Sequence, residues 1–507
     1  MFTNQRNNKL NTEYKELIDM KKSNIGLIGL AVMGENLALN MERHGWQVSV
    51  YNRTVIGIEE GVVDRFITGR GKDKNFVGFT ELKDFVQSLA TPRKIMMMVR
   101  AGKPVDELTD QLLPLLSPND ILIDGGNSNF EDTERRIKYV ESKGMRFIGS
   151  GVSGGEEGAL NGASIMPGGS VSAWPEIKPI LQSIAAKADD GTPCCDWIGA
   201  GGSGHFVKMI HNGIEYGDIQ LICEAYALMK NLLHLSNEAI ATHFERWNEG
   251  KLKSYLVEIT SHILRQKEAD GTYLIDNILD TAGQKGTGKW SVINSMELGM
   301  PLNLIATAVF ERNLSALLDL RREASDVFKR SPSGKQFDEQ TMVDQIFHTL
   351  YASKIVSYAQ GFNVLKQASE QFKWQLDAAS IARMWRGGCI IRSAFLDNIA
   401  SAFEKSPSLS NLLLDDFFHN EIDEALPYWK QLVATATMEE ISVPAFSSAL
   451  NYFYSLTTRR LPANLLQAQR DYFGAHTFER IDHERGQFFH ENWTGHGGNT
   501  SSGTYNA

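Results

Sequence analysis

The sequence contains little cysteine, no long apolar run and no excess of basic residues. Four cysteines in 507 residues cannot form a disulfide framework, and the adjacent Cys194 and Cys195 lack the spacing of a zinc site. The apolar runs are strand-sized, and residues 1–24 hold acidic residues without an apolar core, so neither a membrane span nor a signal peptide is expected. A net charge of −10 disfavours a nucleic-acid partner. We therefore expect a cytoplasmic protein that binds neither nucleic acid nor membrane.

The composition is otherwise that of a globular protein, with 42% apolar and 22% charged residues. The length exceeds what one ordinary core can organise, and about three domain-sized units are expected. If the ligand of so acidic a chain is an anion, the cationic groups that bind it must be concentrated locally.

The segment "NIGLIGLAVMGENLALNMERHGWQVSVYNRT" has the pattern of a strand, a tight turn, a helix and a second strand. Gly29, Ala31 and Gly34 occupy the positions of the dinucleotide-binding fingerprint, with Ala31 where glycine is usual. An ordinary strand–helix turn is the alternative interpretation. The second strand is followed by Asn52, Arg53 and Thr54, where an NAD enzyme would carry an acidic residue. A guanidinium at this place accepts a 2′-phosphate, so the pattern favours NADP over NAD.

Further strand-like runs at 94–100 and 120–128 alternate with helical patterns, which predicts a doubly wound, mostly parallel sheet. Ligands of such sheets lie beyond the carboxyl ends of the strands, which places Ala101, Gly102 and Asn127 near the cofactor. The following segment "GSGVSGGEEGA" predicts a flexible glycine loop in which Ser153, Gly154 and Gly155 can hold a carboxylate. A surface loop with a helix cap is the alternative.

The stretch "FVKMIHNGIEYG" predicts a helix with an unusual polar face. One side of this helix carries Lys208, His211, Asn212, Glu215 and Tyr216, within an arc of roughly 140°. Histidine, asparagine and tyrosine are poor helix formers beside the residues that usually fill exposed faces, so a chemical role is favoured. A solvated surface face is the alternative.

From Gly204 to about Leu461 the patterns are mostly helical, with a faint internal echo between "FVKMIHNG" and "YASKIVSYAQG". Beyond Leu461 the apolar periodicity is lost, and disorder is the default expectation, although Arg470 and His476 lie in aromatic-rich sequence that could dock.

The segment "GQKGTGKW" matches a P-loop pattern except that Trp290 replaces the magnesium-binding hydroxyl. We interpret it as a phosphate-binding loop with Lys285, Thr287 and Lys289 that uses no metal, and Arg312 is a candidate further cation for the same phosphate. The alternative for Arg312 is a helix-surface ion pair.

Together these segments resemble the decarboxylating 6-phosphogluconate dehydrogenases, from about Ile25 to the last residue. The motifs "GLIGLAVMG", "NRT", "DGGNS", "GVSGGEEGA", "GHFVKMIHNGIEYGD", "DTAGQKGTGKW" and the terminal "YNA" carry the resemblance. It implies an N-terminal extension (1–24), a Rossmann-like NADP-binding domain (25–201), an all-helical substrate and dimerisation domain (202–460), and a tail (461–507) that reaches the partner subunit of a homodimer. It also implies NADP as cofactor, 6-phospho-D-gluconate as substrate and a place in the pentose phosphate pathway and gluconate utilization.

The resemblance also assigns residues, position by position. Lys208 is the expected base and Glu215 the expected acid, and no metal is implied. The implied substrate-binding residues are Asn127, Ser153, Gly154, Gly155, His211, Asn212, Tyr216, Lys285, Thr287 and Arg312, with Arg470 and His476 from the partner chain. The implied cofactor-binding residues are Gly29, Ala31, Val32, Met33, Gly34, Asn52, Arg53, Thr54, Val99, Arg100, Ala101 and Asn127.

The departures from the family pattern are small. Arg100 replaces a lysine, which keeps the cation, and residues 1–24 precede the first strand. A non-decarboxylating β-hydroxyacid dehydrogenase shares the fingerprint, the glycine loop and the helix lysine, but such enzymes are shorter and need neither Lys285 nor Arg312. An NADP-binding regulatory or structural protein with a degenerate site is the alternative outside the enzymes, and the presence of both Lys208 and Glu215 argues against it.

Overall fold

The computed structural model describes residues 22–55 and 57–497. Two compact units are present, one ending at Phe446 and the other beginning at Ser447. In chain order, the sheet region of the first unit comprises β1 (Ile25–Ile28), α1 (Val32–Arg43), β2 (Val48–Tyr51), α2 (Val62–Thr68), β3 (Phe76–Phe79), α3 (Leu82–Gln87), β4 (Lys94–Met97), α4 (Lys103–Leu112), β5 (Ile121–Asp124), α5 (Phe130–Glu141), β6 (Arg146–Val152), α6 (Gly155–Asn161), β7 (Ile165–Gly169), α7 (Trp174–Ile184) and β8 (Gly199–Ala200).

These strands form one sheet in the order β3-β2-β1-β4-β5-β6-β7-β8. Neighbouring strands are parallel except for the antiparallel pair β6 and β7. Separate apolar clusters cover the two faces, one including Leu37 of α1 and Ile177 of α7, the other including Phe85 of α3 and Val105 of α4. Such a doubly wound sheet is buried on both faces, which explains the continuous apolar strands, and it confirms the predicted fold class.

The remainder of the first unit is helical, again as predicted. Its helices are α8 (Ser203–Asn231), α9 (Asn237–Trp247), α10 (Tyr255–Arg265), α11 (Leu274–Asn277), α12 (Thr287–Glu297), α13 (Asn303–Ala316), α14 (Leu318–Val327), α15 (Glu339–Phe372), α16 (Ala378–Met384), α17 (Leu396–Lys405) and α18 (Asp416–Met438). None of the helices within the described ranges is long and apolar enough to cross a membrane.

The long helices α8 and α15 pack along each other at very short range. A Cβ atom at Gly217 of α8 would lie 2.6 Å from Ser357 Oγ of α15, and one at Gly361 would lie 2.6 Å from Ile214. Between them the buried Lys354 Nζ donates to Asp218 Oδ2 at 2.5 Å. This close packing holds α8, which carries the predicted chemical face, against α15.

The second unit, beginning at Ser447, corrects the expectation of disorder beyond Leu461. It contains α20 (Ala463–Gly474) and a hairpin of β9 (Phe478–Glu479) and β10 (Phe488–Phe489), and α19 (Pro444–Thr457) spans its first residue. The buried Asp471 carboxylate accepts hydrogen bonds from Thr477 N, His490 Nδ1, Glu491 N and Trp493 Nε1, at 2.8 to 3.0 Å. These four hydrogen bonds form a polar hub around Asp471. The hub holds this part of the chain together although the sequence lacks the apolar periodicity whose absence led to the disorder prediction. The terminal "YNA" lies outside the described residues.

Candidate active site

The polar face that was predicted to have a chemical role lies on α8. This face is buried, so the alternative of a solvated surface face is wrong. Lys208 is 6% exposed, His211 is fully buried, and Asn212 and Tyr216 are also buried, while Glu215 is partly buried. Helix α8 is therefore buried on nearly all of its faces. The poor helix formers are tolerated because tertiary packing, not intrinsic propensity, stabilises this helix.

Glycines bring the start of α8 against the sheet. A Cβ at Gly151 would lie 2.3 Å from Lys208 Cβ, and one at Gly149 would lie 2.7 Å from the His205 ring. Both glycines belong to β6, so the predicted flexible loop at 149–159 is wrong at its two ends. Strand β6 runs to Val152, and α6 begins at Gly155. Gly149 and Gly151 allow the close packing of β6 against α8 and do not make this segment a loop. Only Ser153 and Gly154 remain between the two elements.

The side chains of Lys208, His211 and Ser153 form a connected polar group. His211 Nε2 lies 3.1 Å from Ser153 Oγ, and His211 Nδ1 lies 3.4 Å from Lys208 Nζ and 3.2 Å from Asn212 Oδ1. Burial, together with the Lys208 charge, holds the pKa of His211 well below its ordinary value. The imidazole is therefore neutral at physiological pH.

Burial lowers the pKa of Lys208 to about 8, against the opposing effect of the nearby Glu215 and Cys389. A substantial fraction of the amine is then neutral near physiological pH, which a general base requires. Burial raises the pKa of Glu215, although Lys208, Arg312 and Lys285 act in the opposite direction. The pKa values of two groups on one helix are therefore shifted in the directions that suit a base and an acid.

The turn at Ser153–Gly155 lies beside this group, because Ser153 Oγ is 3.1 Å from His211 Nε2. Gly154 has φ 102°, and a Cβ there would lie 2.5 Å from the Gly388 carbonyl oxygen, so only glycine fits. Because α6 begins at Gly155, the free N–H groups of its first turn are available to a carboxylate.

Two parts of the predicted phosphate site pack against Tyr216, which lies about two turns beyond Lys208 on α8. Helix α12 begins at Thr287, and a Cβ at Gly288 would lie 2.6 Å from the Tyr216 ring. The Arg312 guanidinium of α13 stacks over the same ring at 3.5 Å, which is different from the surface ion pair considered as its alternative. The exposed Lys285 precedes α12. The P-loop interpretation is excluded, because residues 278–286, all described, contain no strand.

The fingerprint turn has the geometry that a dinucleotide requires. Gly29 has φ 99°, and a Cβ there would lie 2.5 Å from the Met98 carbonyl oxygen. A Cβ at Gly34 would lie 1.8 Å from the Gly29 carbonyl oxygen, so α1 packs directly on the turn. Ala31 and Val32 are exposed at the start of α1, where the helix N-terminus can accept a pyrophosphate.

The residues after β2 and β4 lie at the same edge of the sheet. Asn52 Oδ1 accepts a hydrogen bond from Leu30 N at 3.0 Å, which ties the end of β2 to the fingerprint turn. The exposed Arg53 contacts Glu59 Oε2 at 3.1 Å, and Thr54 is also exposed. Beyond β4, Val99, Arg100 and Ala101 follow, with Arg100 exposed. Neighbouring β5 is followed by the exposed Asn127.

Arg470 and His476 belong to the second unit. Arg470 lies on α20 and contacts Gln467 Oε1 at 3.2 Å, and His476 contacts the Phe473 ring at a centroid distance of 5.9 Å. Within the described residues, no group of three His, Cys, Asp or Glu side chains could hold a metal ion.

Sequence reasoning missed the buried polar residues that support the site. Arg136 of α5 and Asp124 of β5 lie beneath the loops after β4 and β5, and both are buried. The pair "RR" at 135–136 resembles an exposed charge cluster. Only the helical spacing of Arg136 with the buried Phe130, Thr133 and Val140 could have indicated its burial.

A Rossmann-type sheet with this turn, joined to a buried lysine and a raised-pKa glutamate, defines a nicotinamide-dependent dehydrogenase of hydroxy acids. Two family models match the chain: the NAD binding domain of 6-phosphogluconate dehydrogenase over residues 24–199, and the C-terminal domain of the same enzyme over 204–493. The chain belongs to the 6-phosphogluconate dehydrogenase family.

Relatives from distant organisms match along nearly the whole chain. It is 54% identical over 487 residues to "6-phosphogluconate dehydrogenase, decarboxylating" of Drosophila melanogaster, covering 96% of this chain and 99% of that protein. The mouse enzyme of the same name is 52% identical over 490 residues, covering 96% and 100%. The 6-phosphogluconate dehydrogenase of Plasmodium falciparum, solved in apo form and with NADP+ or 6-phosphogluconate, has a TM-score of 0.88 and 43% identity, covering 92% and 100%.

Proposed function

We propose that this protein oxidises and decarboxylates 6-phospho-D-gluconate to D-ribulose 5-phosphate and carbon dioxide while NADP is reduced. The observation that carries this proposal is the pairing of Lys208 and Glu215 on one buried helix, with pKa shifts suited to a base and an acid. The reaction belongs to the pentose phosphate pathway and to gluconate utilization. The four cysteines are free thiols, which supports a reducing, cytoplasmic location.

The first step depends on Lys208 as general base. Its neutral amine accepts the proton of the carbon-3 hydroxyl as that carbon is oxidised to a ketone. His211 and Asn212 orient the hydroxyls beside it, and Asn127 approaches from the sheet. The amides of Gly154 and Gly155 and the Ser153 hydroxyl hold the carboxylate of the substrate.

The second step uses protonated Lys208, and the third step uses the proton of the Glu215 carboxyl. The 3-keto acid loses carbon dioxide because the neighbouring carbonyl accepts the electron pair as an enolate, and protonated Lys208 stabilises the developing oxyanion. Glu215 then gives its proton to carbon 1 of the five-carbon enediolate, which yields ribulose 5-phosphate.

The residues present fit NADP. Gly29, Ala31, Val32, Met33 and Gly34 form the turn that would hold the pyrophosphate, and Asn52, Arg53 and Thr54 would bind the adenosine ribose and its 2′-phosphate. Val99, Arg100, Ala101 and Asn127 would border the nicotinamide. NADP supplies the hydride acceptor when it is bound. The exposed Arg53 guanidinium would exchange its Glu59 contact for the phosphate.

The phosphate of the substrate is expected at Tyr216, Lys285, Thr287 and Arg312. The stacking of Arg312 on the Tyr216 ring holds its guanidinium in place while leaving its donors free to form a fork on a phosphate. An acidic protein can thus bind a dianion, because Arg312 and Lys285 act close to Glu215 and Tyr216 in the middle of α8.

We propose a homodimer in which Arg470 and His476 complete the partner's site. In the first unit an apolar groove lined by Ile219, Ile222, Leu256 and Ile263 reaches the surface, and Phe310 is 60% exposed. Apolar surface of this kind suits a subunit interface. The proposed division is therefore 25–201 for NADP, 202–460 for substrate and dimerisation, and 461–507 for the partner, after an extension at 1–24.

A parallel assay tests the reaction. NADPH formation with 6-phosphogluconate should be matched mole for mole by carbon dioxide. NADPH without carbon dioxide would instead support the non-decarboxylating β-hydroxyacid dehydrogenase, and the absence of both would support an NADP-binding regulatory protein.

Mixed dimers test the shared site. Lys208→Ala and Arg470→Ala subunits, each nearly inactive alone, are combined after reversible dissociation. Random mixing makes about half of the dimers mixed, each with one intact site, so about a quarter of the unaltered activity should return. No recovery, with mixed dimers verified by mass, would refute the shared site.

A further inference from the structure

The buried Arg136 lies beneath two loops of the candidate site. It stands beside Arg135 on α5, yet the Arg135 side chain is 55% exposed and that of Arg136 only 1%. A buried guanidinium must satisfy several donors in fixed directions, so its contacts determine the geometry around it.

Arg136 connects α4 and its preceding loop to β5. Its Nε donates to Asp106 Oδ1 at 2.8 Å, and its Nη2 donates to the Gly102 carbonyl oxygen at 3.0 Å. Nη1 lies 3.5 Å from Asp124 Oδ2. Gly102 directly follows Ala101 and precedes the first residue of α4. The guanidinium therefore holds the end of the loop that carries Val99, Arg100 and Ala101.

Asp124 holds the neighbouring loop in the same manner. It is the last residue of β5 and is fully buried. Its Oδ1 accepts a hydrogen bond from Gly126 N at 3.0 Å, and its Oδ2 accepts one from Ser128 Oγ at 2.6 Å. The exposed Asn127 is thus flanked by two residues bound to one carboxylate.

A purely structural ion pair is the simpler explanation, but it does not account for where the contacts lead. Replacing a buried ion pair by apolar residues of similar volume is often neutral or stabilising, so stability alone does not require Arg136 and Asp124. Their contacts end on the residues that flank Ala101 and Asn127, which follow the adjacent parallel strands β4 and β5.

We propose that Arg136 and Asp124 are positioning residues that hold the Ala101 loop and the Asn127 loop in one fixed relation. This inference rests on the proposed function, which places the nicotinamide against both loops and the substrate against Asn127. Loosening the link should weaken the binding of both ligands and reduce kcat, because the reacting carbons are no longer held together. The pH dependence should stay unchanged, because Lys208 lies on α8.

The principal variant is Arg136→Lys, which keeps the positive charge beside Asp124 and removes the planar fork. A lysine cannot reach Asp106, Gly102 and Asp124 in the same directions. We expect the Kd for NADP and the KM for 6-phosphogluconate each to rise about tenfold or more, as for loss of one charge-assisted hydrogen bond, and kcat to fall. NADP binding is measured by calorimetry, independently of turnover.

The matched control is Arg135→Lys. Arg135 binds the same Asp106 carboxylate, at 2.9 Å, but it is exposed and donates to neither loop. All three constants should remain within about twofold, as expected for a surface ion pair. An equal defect in this control would overturn the proposal, because Asp106 and not the loop link would then be responsible.

A milder variant decides the matter if Arg136→Lys does not fold. Ser128→Ala removes only the hydroxyl that binds Asp124 and leaves the ion pair intact. It should raise the KM for 6-phosphogluconate more than the Kd for NADP, since it loosens the Asn127 loop alone. Unchanged Kd, KM and kcat in a folded Arg136→Lys enzyme would overturn the proposal. If that variant does not fold, unchanged constants in Ser128→Ala would overturn it. Failure of the proposed function would differ, because the unaltered enzyme would then form no NADPH or would form NADPH without carbon dioxide.

Discussion

Gly151 offers the sharpest test of how the sheet positions the helix that carries Lys208. It lies in β6 directly beneath Lys208, and Gly151→Ala would add one methyl group between strand and helix. The new Cβ would lie 2.3 Å from Lys208 Cβ and 2.8 Å from its Cγ. These atoms are next to the helix backbone, so a change of rotamer at the end of the lysine side chain cannot relieve the contact.

The expected effect follows from the missing space. Carbon atoms in contact are about 3.5–4.0 Å apart, so strand and helix must separate by about 1 Å or more. Such overpacking typically costs about 1–3 kcal/mol of the free energy of unfolding. A displacement of about 1 Å at a reacting group can lower the rate about 10²-fold. We expect Gly151→Ala to fold with a reduced Tm and to lose about this factor in kcat.

The assay is single-turnover NADPH formation with saturating 6-phosphogluconate and NADP, with thermal unfolding measured on the same samples. Gly250→Ala is the matched control, because a Cβ at Gly250 would meet no atom within 4 Å. It should leave both the rate and Tm nearly unchanged. A stable Gly151→Ala enzyme with kcat within twofold of the unaltered enzyme would refute the reasoning.

Three further outcomes are expected. The kcat/KM of NADPH formation, measured against pH, should rise through about pH 8, because burial lowers the pKa of Lys208 and only its neutral amine accepts the proton; a flat profile over this range would contradict the assignment. Arg53→Asp should weaken NADP binding in calorimetry by about 1.5–3 kcal/mol without weakening NAD binding, and unchanged NADP affinity would refute the 2′-phosphate contact. Asp471→Asn should open residues 463–497 to limited proteolysis, whereas Asp482→Asn, an exposed control, should not; equal resistance would show that the carboxylate hub does not hold the tail.

The Asp471 hub also gives the second unit a defined pH dependence. Burial opposes ionisation of the Asp471 carboxyl, but its four hydrogen bonds outweigh this and lower the pKa from 3.8 to about 2. A depressed pKa stabilises the folded state above the unfolded value, and the contribution is lost as the pH falls through the folded value. Protease resistance of the unaltered tail should therefore decline between about pH 4 and pH 2.

Elements defined by local periodicity could be predicted from the sequence. The first strand–turn–helix–strand unit is confirmed. It could be predicted because its apolar runs and its fingerprint glycines lie next to each other along the chain. The helix carrying Lys208 and Glu215 was likewise evident from spacing alone. Its environment was not, because burial of its polar face depends on β6 and α15, which are distant in sequence.

Features that depend on distant packing were missed or misjudged. The segment 149–159 has the composition of a loop, yet Gly149 and Gly151 are strand residues that admit α8. The tail lacks apolar periodicity, yet within its described residues Asp471 makes polar contacts that hold the segment 471–493 together. Arg136 looks like half of a surface pair, and only the fold shows that it turns inward.

The central claim is that Lys208 and Glu215 divide successive proton transfers on one helix. The most direct test is a single turnover in D2O that records NADPH formation and stereospecific deuterium incorporation at carbon 1 of ribulose 5-phosphate. Lys208→Ala should slow NADPH formation by about 10²–10⁴-fold. Glu215→Gln should form NADPH within about tenfold of the unaltered rate and lose deuterium incorporation by a comparable 10²–10⁴-fold factor, about that of general acid–base catalysis. Equal loss of NADPH formation in both variants, with enzyme-directed deuteration intact in Glu215→Gln, would contradict the account.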